Sequence, residues 1–418
     1  MTATITIKDY PCGSGKTTSM IQSFKENEKY LVILPELSEI DRVILETNHV
    51  TFVAPTTEDN ILGTKSQSLK ELLLLGQNIA TTHAMYERLV PLAQEGLLDE
   101  YCIFIDEVPE VVKAVATKSK TSIEEIYING GYVEVEDTGL VSPTEKWQQN
   151  KKEFADTLDS KILTYAQTGC LYLLSGKLFI WALPSLLLGA GKSVTILTYK
   201  AEGSLLVSYL QKLSAPFVIE KDAFKEQAFR EKALALIDLK GIPAIYGKKN
   251  KLNLTHTGQS DGMKNKSYCS TMVTSLKNLR GRQLKGVDLS DVILTCKKDA
   301  WIQDNGKAGV FAKGSKMFGV NWISNKTRGT NKYAHCSTAI YLYNQHINPL
   351  VGQWINDSST QFNDAYALTE LIQWIWRTRI RRGEPITLYL PAPRMRGILI
   401  DWLEGWDSKG FGEMSLAA

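Results

Sequence analysis

Short apolar runs rich in β-branched residues alternate along this chain with stretches whose apolar positions recur every three to four residues. Residues 4–8, 30–35, 50–53, 78–82, 101–106 and 194–199 read as strands, and 36–47, 65–75, 83–95 and 203–213 between them read as helices. A second series runs through strands at 233–238, 291–298, 338–343 and 386–391, with helices at 268–284, 368–382 and 394–402. Strands alternating with helices of this length predict an α/β fold of parallel sheets covered on both faces. Ligands of such sheets sit at the carboxyl ends of the strands.

The first series is interrupted after residue 107. Residues 132–139 alternate like a hairpin strand and 144–167 read as a polar amphipathic helix, so about 113–185 reads as an insertion in the first domain. It either touches nucleic acid or a partner protein, or is a structural elaboration. The polar stretch 220–226 suggests a boundary, giving domains at 1–222 and 223–418. Residues 247–266, rich in Lys, Asn, Gly and Ser, predict a basic loop.

Composition narrows the class. At 418 residues, 44% hydrophobic and 22% charged, the chain can build two or three ordinary cores. Its longest apolar run, 178–188, is broken by Trp181, Pro184 and Ser185, too soon to span a membrane. The first motif starts about ten residues from Met1, leaving no room for a signal peptide, so the cytoplasm is expected. Cys12, Cys102, Cys170, Cys269, Cys296 and Cys336 lack C-x-x-C spacing, which indicates neither a zinc site nor a disulfide framework. The net charge of +3 hides an asymmetry. Residues 1–224 hold 20 Lys+Arg and 29 Asp+Glu, net −9, whereas 225–418 hold 28 and 16, net +12. A basic second half favours a polyanionic partner.

The chemistry begins where the first strand breaks into Tyr10-Pro11-Cys12-Gly13-Ser14-Gly15-Lys16-Thr17-Thr18. Gly13 and Gly15 permit positive φ, so that backbone N–H groups of Gly13, Ser14, Gly15, Lys16, Thr17 and Thr18 can wrap an oxyanion. Lys16 would reach the β and γ phosphates of ATP, and the Thr17 hydroxyl would ligate the accompanying Mg²⁺. Tyr10 stands at the first glycine of the G-x-x-x-x-G-K-[ST] pattern, so this is its compact form. The apolar strand 101–105 then delivers Asp106 and Glu107 at a carboxyl edge. There Asp106 can hold Mg²⁺ through water and Glu107 can polarise the attacking water. Phosphate loop and acidic pair together define a hydrolase site.

These residues carry a resemblance. The loop 10–17 and Asp106-Glu107-Val108-Pro109 resemble motifs I and II of superfamily 2 helicases, whose members carry two RecA-like P-loop NTPase domains with ATP between them. Leu34-Pro35-Glu36 and Thr81-Thr82-His83 resemble motifs Ia and Ib, which implies that Thr81 and Thr82 touch the backbone of the tracked strand. His83 reads as the first residue of a helix with no catalytic task. Thr198 answers alone to motif III. Arg328-Gly329-Thr330-Asn331 is similar to motif V, making Arg328 and Thr330 candidates for polymer contact, with a flexible basic loop as the alternative.

The most telling basic element is the segment from Leu368 to Gly383. Leu368, Leu371, Ile372, Ile375 and Trp376 fall on one stripe, a spacing that would aim Gln373, Arg377 and Arg381 outward together. Arginines on a rigid helix can neutralise charge on a transferring phosphoryl group. The segment is similar to motif VI, Gln-x-x-Gly-Arg-x-x-Arg, with Trp376 at the usual glycine and Arg381 one position late, so Arg379 or Arg382 could be the second finger. With Arg-Gly-Thr-Asn-Lys-Tyr at 328–333 and Pro-Arg-Met-Arg at 393–396, the chain resembles helicase-like proteins of tailed bacteriophages and prophages. That implies an ATP- and Mg²⁺-dependent DNA helicase or translocase acting on single-stranded or forked DNA beside replication proteins, in a host cytoplasm and not at a membrane. An RNA-dependent ATPase and a nucleotide-gated remodeller that never unwinds are the alternative classes.

Overall fold

The computed structural model describes residues 4–58, 63–115, 123–150, 158–176, 178–327 and 329–406. Strands form where apolar and β-branched residues run together. In chain order they are β1 (Ile5–Asp9), β2 (Lys29–Leu34), β3 (Phe52–Val53), β4 (Asn78–Thr82) and β5 (Tyr101–Asp106), then β6 (Val112–Val115), β7 (Val133–Val135), β8 (Val141–Pro143), β9 (Leu171–Leu174) and β10 (Leu178–Ala182). They continue as β11 (Ser193–Thr198), β12 (Phe217–Lys221), β13 (Ile237–Lys240), β14 (Val292–Thr295), β15 (Asn321–Trp322), β16 (Thr338–Tyr341) and β17 (Ile386–Tyr389). Two compact units result. One comprises Met1–Asp9, Gly15–Lys221 and Ile347–Phe362, the other Tyr10–Ser14, Asp222–His346 and Asn363–Ala418.

Among the described residues the first unit carries a seven-stranded parallel sheet in the order β12-β1-β11-β5-β2-β4-β3. Parallel neighbours need crossovers, and the helices Leu37–Glu46 and Lys65–Leu74 supply two of them. β2 is buried from Tyr30 to Leu34, as a strand covered on both faces should be. Phe24 packs its ring 4.6 Å from Tyr30 and 4.9 Å from Phe52 beneath it. The register sets Thr198 beside Asp9 and Leu197 beside Asp106, so β1, β11 and β5 end level at one edge.

Between β5 and β11 the chain leaves this sheet. An antiparallel sheet β6-β10-β9 and the hairpin β7-β8 enclose a second core around Trp147, Tyr127 and Phe179. The expected helix at 144–167 is described as Glu145–Gln149 and Leu158–Gln167. The expected helix at 83–95 is also broken, into His83–Tyr86, a 3₁₀ turn Glu87–Leu89 and Val90–Gln94. Pro91 suits the first turn of that last piece, where a missing N–H costs nothing.

The second unit holds a five-stranded parallel sheet, β13-β17-β16-β14-β15, among the described residues. Three expectations change here. The strand expected at 233–238 is mostly helix, Ala223–Leu236, started by the Asp222 carboxylate accepting the Lys225 N–H, and β13 begins only at Ile237. Phe229 and Ala233, four residues apart, bury one face of that helix, with the Phe229 ring 4.2 Å from Trp376. The basic loop expected at 247–266 contains the helix His256–Gly262, capped by Thr255 and anchored by Gln259, whose amide donates to Leu342 O at 2.8 Å. The helix expected through residue 382 stops at Ile375, and a 3₁₀ turn Arg379–Arg382 follows.

The grouping is also not sequential. The helix Pro349–Ile355 belongs to the first unit, where Trp354 lies 5.1 Å from the Tyr172 ring and 5.7 Å from Tyr209. Arg394 holds the two ends of this excursion in the second unit. It donates to the Asp364 carboxylate at 2.8 Å, to Gln345 O at 2.6 Å and to Asn363 O at 3.0 Å. No helix of the described residues is long and apolar enough to cross a membrane.

Trp376 occupies the place of a glycine in the resembling motif because its indole fills the space over Phe229. Trp376→Ala should therefore destabilise the protein by about 3–5 kcal/mol. The expected result is a lower urea midpoint at unchanged slope.

Candidate active site

The loop after β1 is shaped by two glycines. Gly13 has φ 76° and Gly15 φ 84°, and in both cases the space where a Cβ would stand is open. Glycine is needed here for its backbone angle, and its lack of a side chain leaves the concavity clear. The Ser14 N–H closes the turn on Pro11 O at 3.2 Å, and the Ser19 N–H bonds Gly15 O at 2.8 Å to start the helix Lys16–Gln22. Among the described residues the Ser14 hydroxyl is buried without a hydrogen-bond partner, a donor in the loop with nothing to donate to.

β5 brings Asp106 to the same edge. The Thr17 hydroxyl donates to Asp106 Oδ2 at 2.9 Å across 89 positions of sequence. Asp106 is 8% exposed. Burial and, after it, the nearby Glu107 push its carboxyl up to about 6 against the opposing pull of the Thr17 hydroxyl and the Lys16 ammonium. A hydroxyl and a buried carboxylate side by side are the hard oxygen donors that Mg²⁺ takes, and the open glycine turn and idle Ser14 donor fit a phosphate. Loop and strand end therefore match a Mg²⁺–nucleotide in donor type.

Glu107 has φ 64°, the left-handed region that costs an ordinary residue about 1–2 kcal/mol. Its N–H bonds Leu197 O at 2.8 Å, and the carbonyl of the same peptide unit, Asp106 O, receives the His83 ring at 2.9 Å. Sequence reasoning gave His83 no task. A histidine opening a helix after a strand has no local signal of what its ring will reach.

Two further residues were missed. Asp9 is buried at the end of β1, and its carboxylate accepts the N–H of Lys200 at 2.7 Å and of Ala201 at 3.0 Å, holding Lys200 at φ 58°. It ties the strand before the loop to the turn after β11. Arg42 donates to the Thr18 hydroxyl at 3.0 Å and pairs with Glu46, so the helix Leu37–Glu46 braces the end of the loop. Carboxylates at strand ends are common in sequence, and only the register distinguishes Asp9.

The remaining candidates lie as follows. Thr81 is buried in β4, and Thr82 is half-buried where the helix at His83 begins. Thr330 is buried and its hydroxyl accepts the Lys332 N–H at 3.3 Å, while Arg328 lies outside the described residues. The outward alignment expected of Gln373, Arg377 and Arg381 does not hold. Gln373 is 2% and Arg377 4% exposed, and Arg381 alone is exposed, on the 3₁₀ turn. The Arg377 and Thr378 N–H groups bond three residues back, to Trp374 O and Ile375 O, and this tightening ends the helix before Arg381 can join the row.

Two parallel α/β sheets, the first with a phosphate-type loop after its first strand, make a fold of two RecA-like domains. The solved structure of apo XPD shares that fold over 96% of this chain and 95% of its own, at TM-score 0.50 and 12% identity. The structure of S. tokodaii Xpd4 aligns over 96% and 94% at TM-score 0.49 and 13% identity. In sequence the chain is similar to YonV, an SPbeta prophage-derived protein of Bacillus subtilis (strain 168), with 25% identity over 415 residues, 96% of this chain and 98% of that one. Residues 231–403 match the model of the YonV C-terminal Rossmann-like domain.

The raised Asp106 carboxyl sets a pH dependence. Ionising a buried carboxylate opposes folding, so this cost is absent below the ordinary carboxylate value and fully present above about pH 6. Without nucleotide and Mg²⁺, Asp106→Asn should be more stable than wild type at pH 7 by about 1–3 kcal/mol. Denaturant unfolding should show that difference vanishing towards pH 4.

Proposed function

We propose that this chain is an ATP hydrolase that couples turnover to movement along nucleic acid, with single-stranded or forked DNA as its track. The observation that carries the reading is the Thr17 hydroxyl donating to Asp106 at 2.9 Å, beside a loop turned by Gly13 and Gly15. In this reading the backbone of residues 13–18 and the Lys16 ammonium hold the phosphates, and Thr17 and Asp106 hold Mg²⁺. When bound, that cation would neutralise charge developing on the phosphate oxygens. Glu107 orients the attacking water. Arg381, the exposed one of the three basic-segment candidates, is assigned to the charge on the transferring group, and Thr81, Thr82, Arg328 and Thr330 to the polymer backbone. Residues 1–222 and 223–418 are the two motor domains.

The helicase-type fold supports a nucleic-acid motor, and the net charge of +12 on residues 225–418 supports a polyanionic track. The prophage origin of YonV supports a place in phage DNA replication, recombination or repair, and hence in the host cytoplasm.

The test is the ATPase rate with no polymer, single-stranded DNA, duplex DNA and RNA at one salt concentration. Single-stranded DNA should stimulate most, and Lys16→Ala should lose about 100-fold or more of the activity. Hydrolysis by Lys16→Ala at the wild-type rate would falsify the site. Stimulation by RNA alone would replace the DNA track.

A further inference from the structure

Glu107 can orient water only if its carboxylate points in one direction, and that direction follows from its backbone. The peptide joining Asp106 to Glu107 is held at both ends. Its N–H bonds Leu197 O of β11 at 2.8 Å, and its carbonyl accepts from His83 Nε2 at 2.9 Å. In a trans peptide these groups point in opposite directions, so two bonds on opposite sides fix the plane. Fixing the plane fixes ψ of Asp106 and φ of Glu107 together. The resulting φ of 64° is one that glutamate rarely adopts unaided, so something must maintain it.

The two anchors differ in kind. The bond to Leu197 O continues the ladder between β5 and its neighbour β11, and the backbone alone provides it. His83 comes from beyond the other side of β5, at the carboxyl end of β4, with β2 lying between β4 and β5 in the sheet. No backbone group reaches from there, so a side chain long enough to cross a strand is required. A carbonyl oxygen only accepts, so the proton sits on Nε2.

We infer that His83 is a positioning residue for the hydrolytic step, holding the Asp106–Glu107 peptide in the orientation that aims the Glu107 carboxylate. The inference rests on the ATP hydrolase reading above. In that reading His83 is assigned neither to the phosphates nor to the cation and acts on the peptide carbonyl, so its loss should slow hydrolysis and spare nucleotide affinity. Misplacing a catalytic group by about 1 Å costs on the order of 100-fold in rate.

The experiment compares wild type, Lys16→Ala, His83→Leu and His83→Gln in single-turnover ATP hydrolysis, alongside affinity for Mg²⁺ with a non-hydrolysable ATP analogue. His83→Leu keeps the bulk without the donor. His83→Gln keeps an N–H at a similar reach. The expected result is hydrolysis about 10–100-fold slower in His83→Leu, analogue affinity within about twofold of wild type, and at least half of the lost rate, on a logarithmic scale, recovered in His83→Gln. Retained analogue affinity also certifies that each variant is folded. Wild-type hydrolysis by His83→Leu while Lys16→Ala is inactive overturns this inference and leaves the hydrolase reading standing. Parallel loss of affinity and rate, or equal slowing in both His83 variants, assigns His83 to structural support and overturns it as well. If Lys16→Ala matches wild type, the hydrolase reading itself falls and takes the inference with it.

Discussion

The hydrogen bond from the Thr17 hydroxyl to the Asp106 carboxylate joins two places 89 residues apart, and the candidate chemistry depends on it. One end follows a glycine turn and the other ends a buried strand. Neither β1 nor β5 touches the other in the sheet, because β11 lies between them. They meet only because the parallel register ends all three strands level, with Thr198 beside Asp9 and Leu197 beside Asp106. A shift of one residue in the register of β1 against β11 would offset the loop from the end of β5 by about 3.3 Å and separate the pair.

That arrangement has an energetic cost. Asp106 is removed from water and sits next to Glu107, and its carboxyl rises to about 6 as a result. Asp9 is likewise raised by burial, with two backbone N–H groups pulling the other way. Glu107 and Lys200 both occupy left-handed backbone angles within this same edge. Buried carboxylates and strained turns weaken a fold when they are scattered, and here they gather at one strand edge. The aromatic packing of Phe24, Tyr30 and Phe52 beneath the sheet, and the apolar length of β2, offset that cost.

Much of the fold was legible in sequence because it is written in local periodicity. The strands at 30–34, 78–82 and 101–106 are short apolar runs with clear ends, and their alternation with helices dictates parallel pairing. Errors arose where the apolar pattern was ambiguous about face. Leu371, Ile372, Trp374, Ile375 and Trp376 are all buried, so the stripe wraps the helix on more than one side and takes Gln373 and Arg377 inside with it. The strand expected at 233–238 failed similarly, since Phe229 and Ala233 extend the helix by four residues into a segment that also reads as β. The excursion at 347–362 had no local signal. Its anchor is the contact of Trp354 with Tyr172 and Tyr209, rings that lie far back in sequence.

Within the site, the loop and acidic pair were legible because their chemistry demands particular residues at close spacing. Asp9, Arg42 and His83 act across strands or between helices, so their partners are fixed by register alone. The most direct measurement of the central claim is a double-mutant cycle on Mg²⁺–ATP affinity with Thr17→Ala, Asp106→Asn and the double variant. Two groups serving one cation should be strongly coupled, with the double variant binding little worse than the weaker single one. Additive losses would mean that the two residues act independently, and would contradict the account.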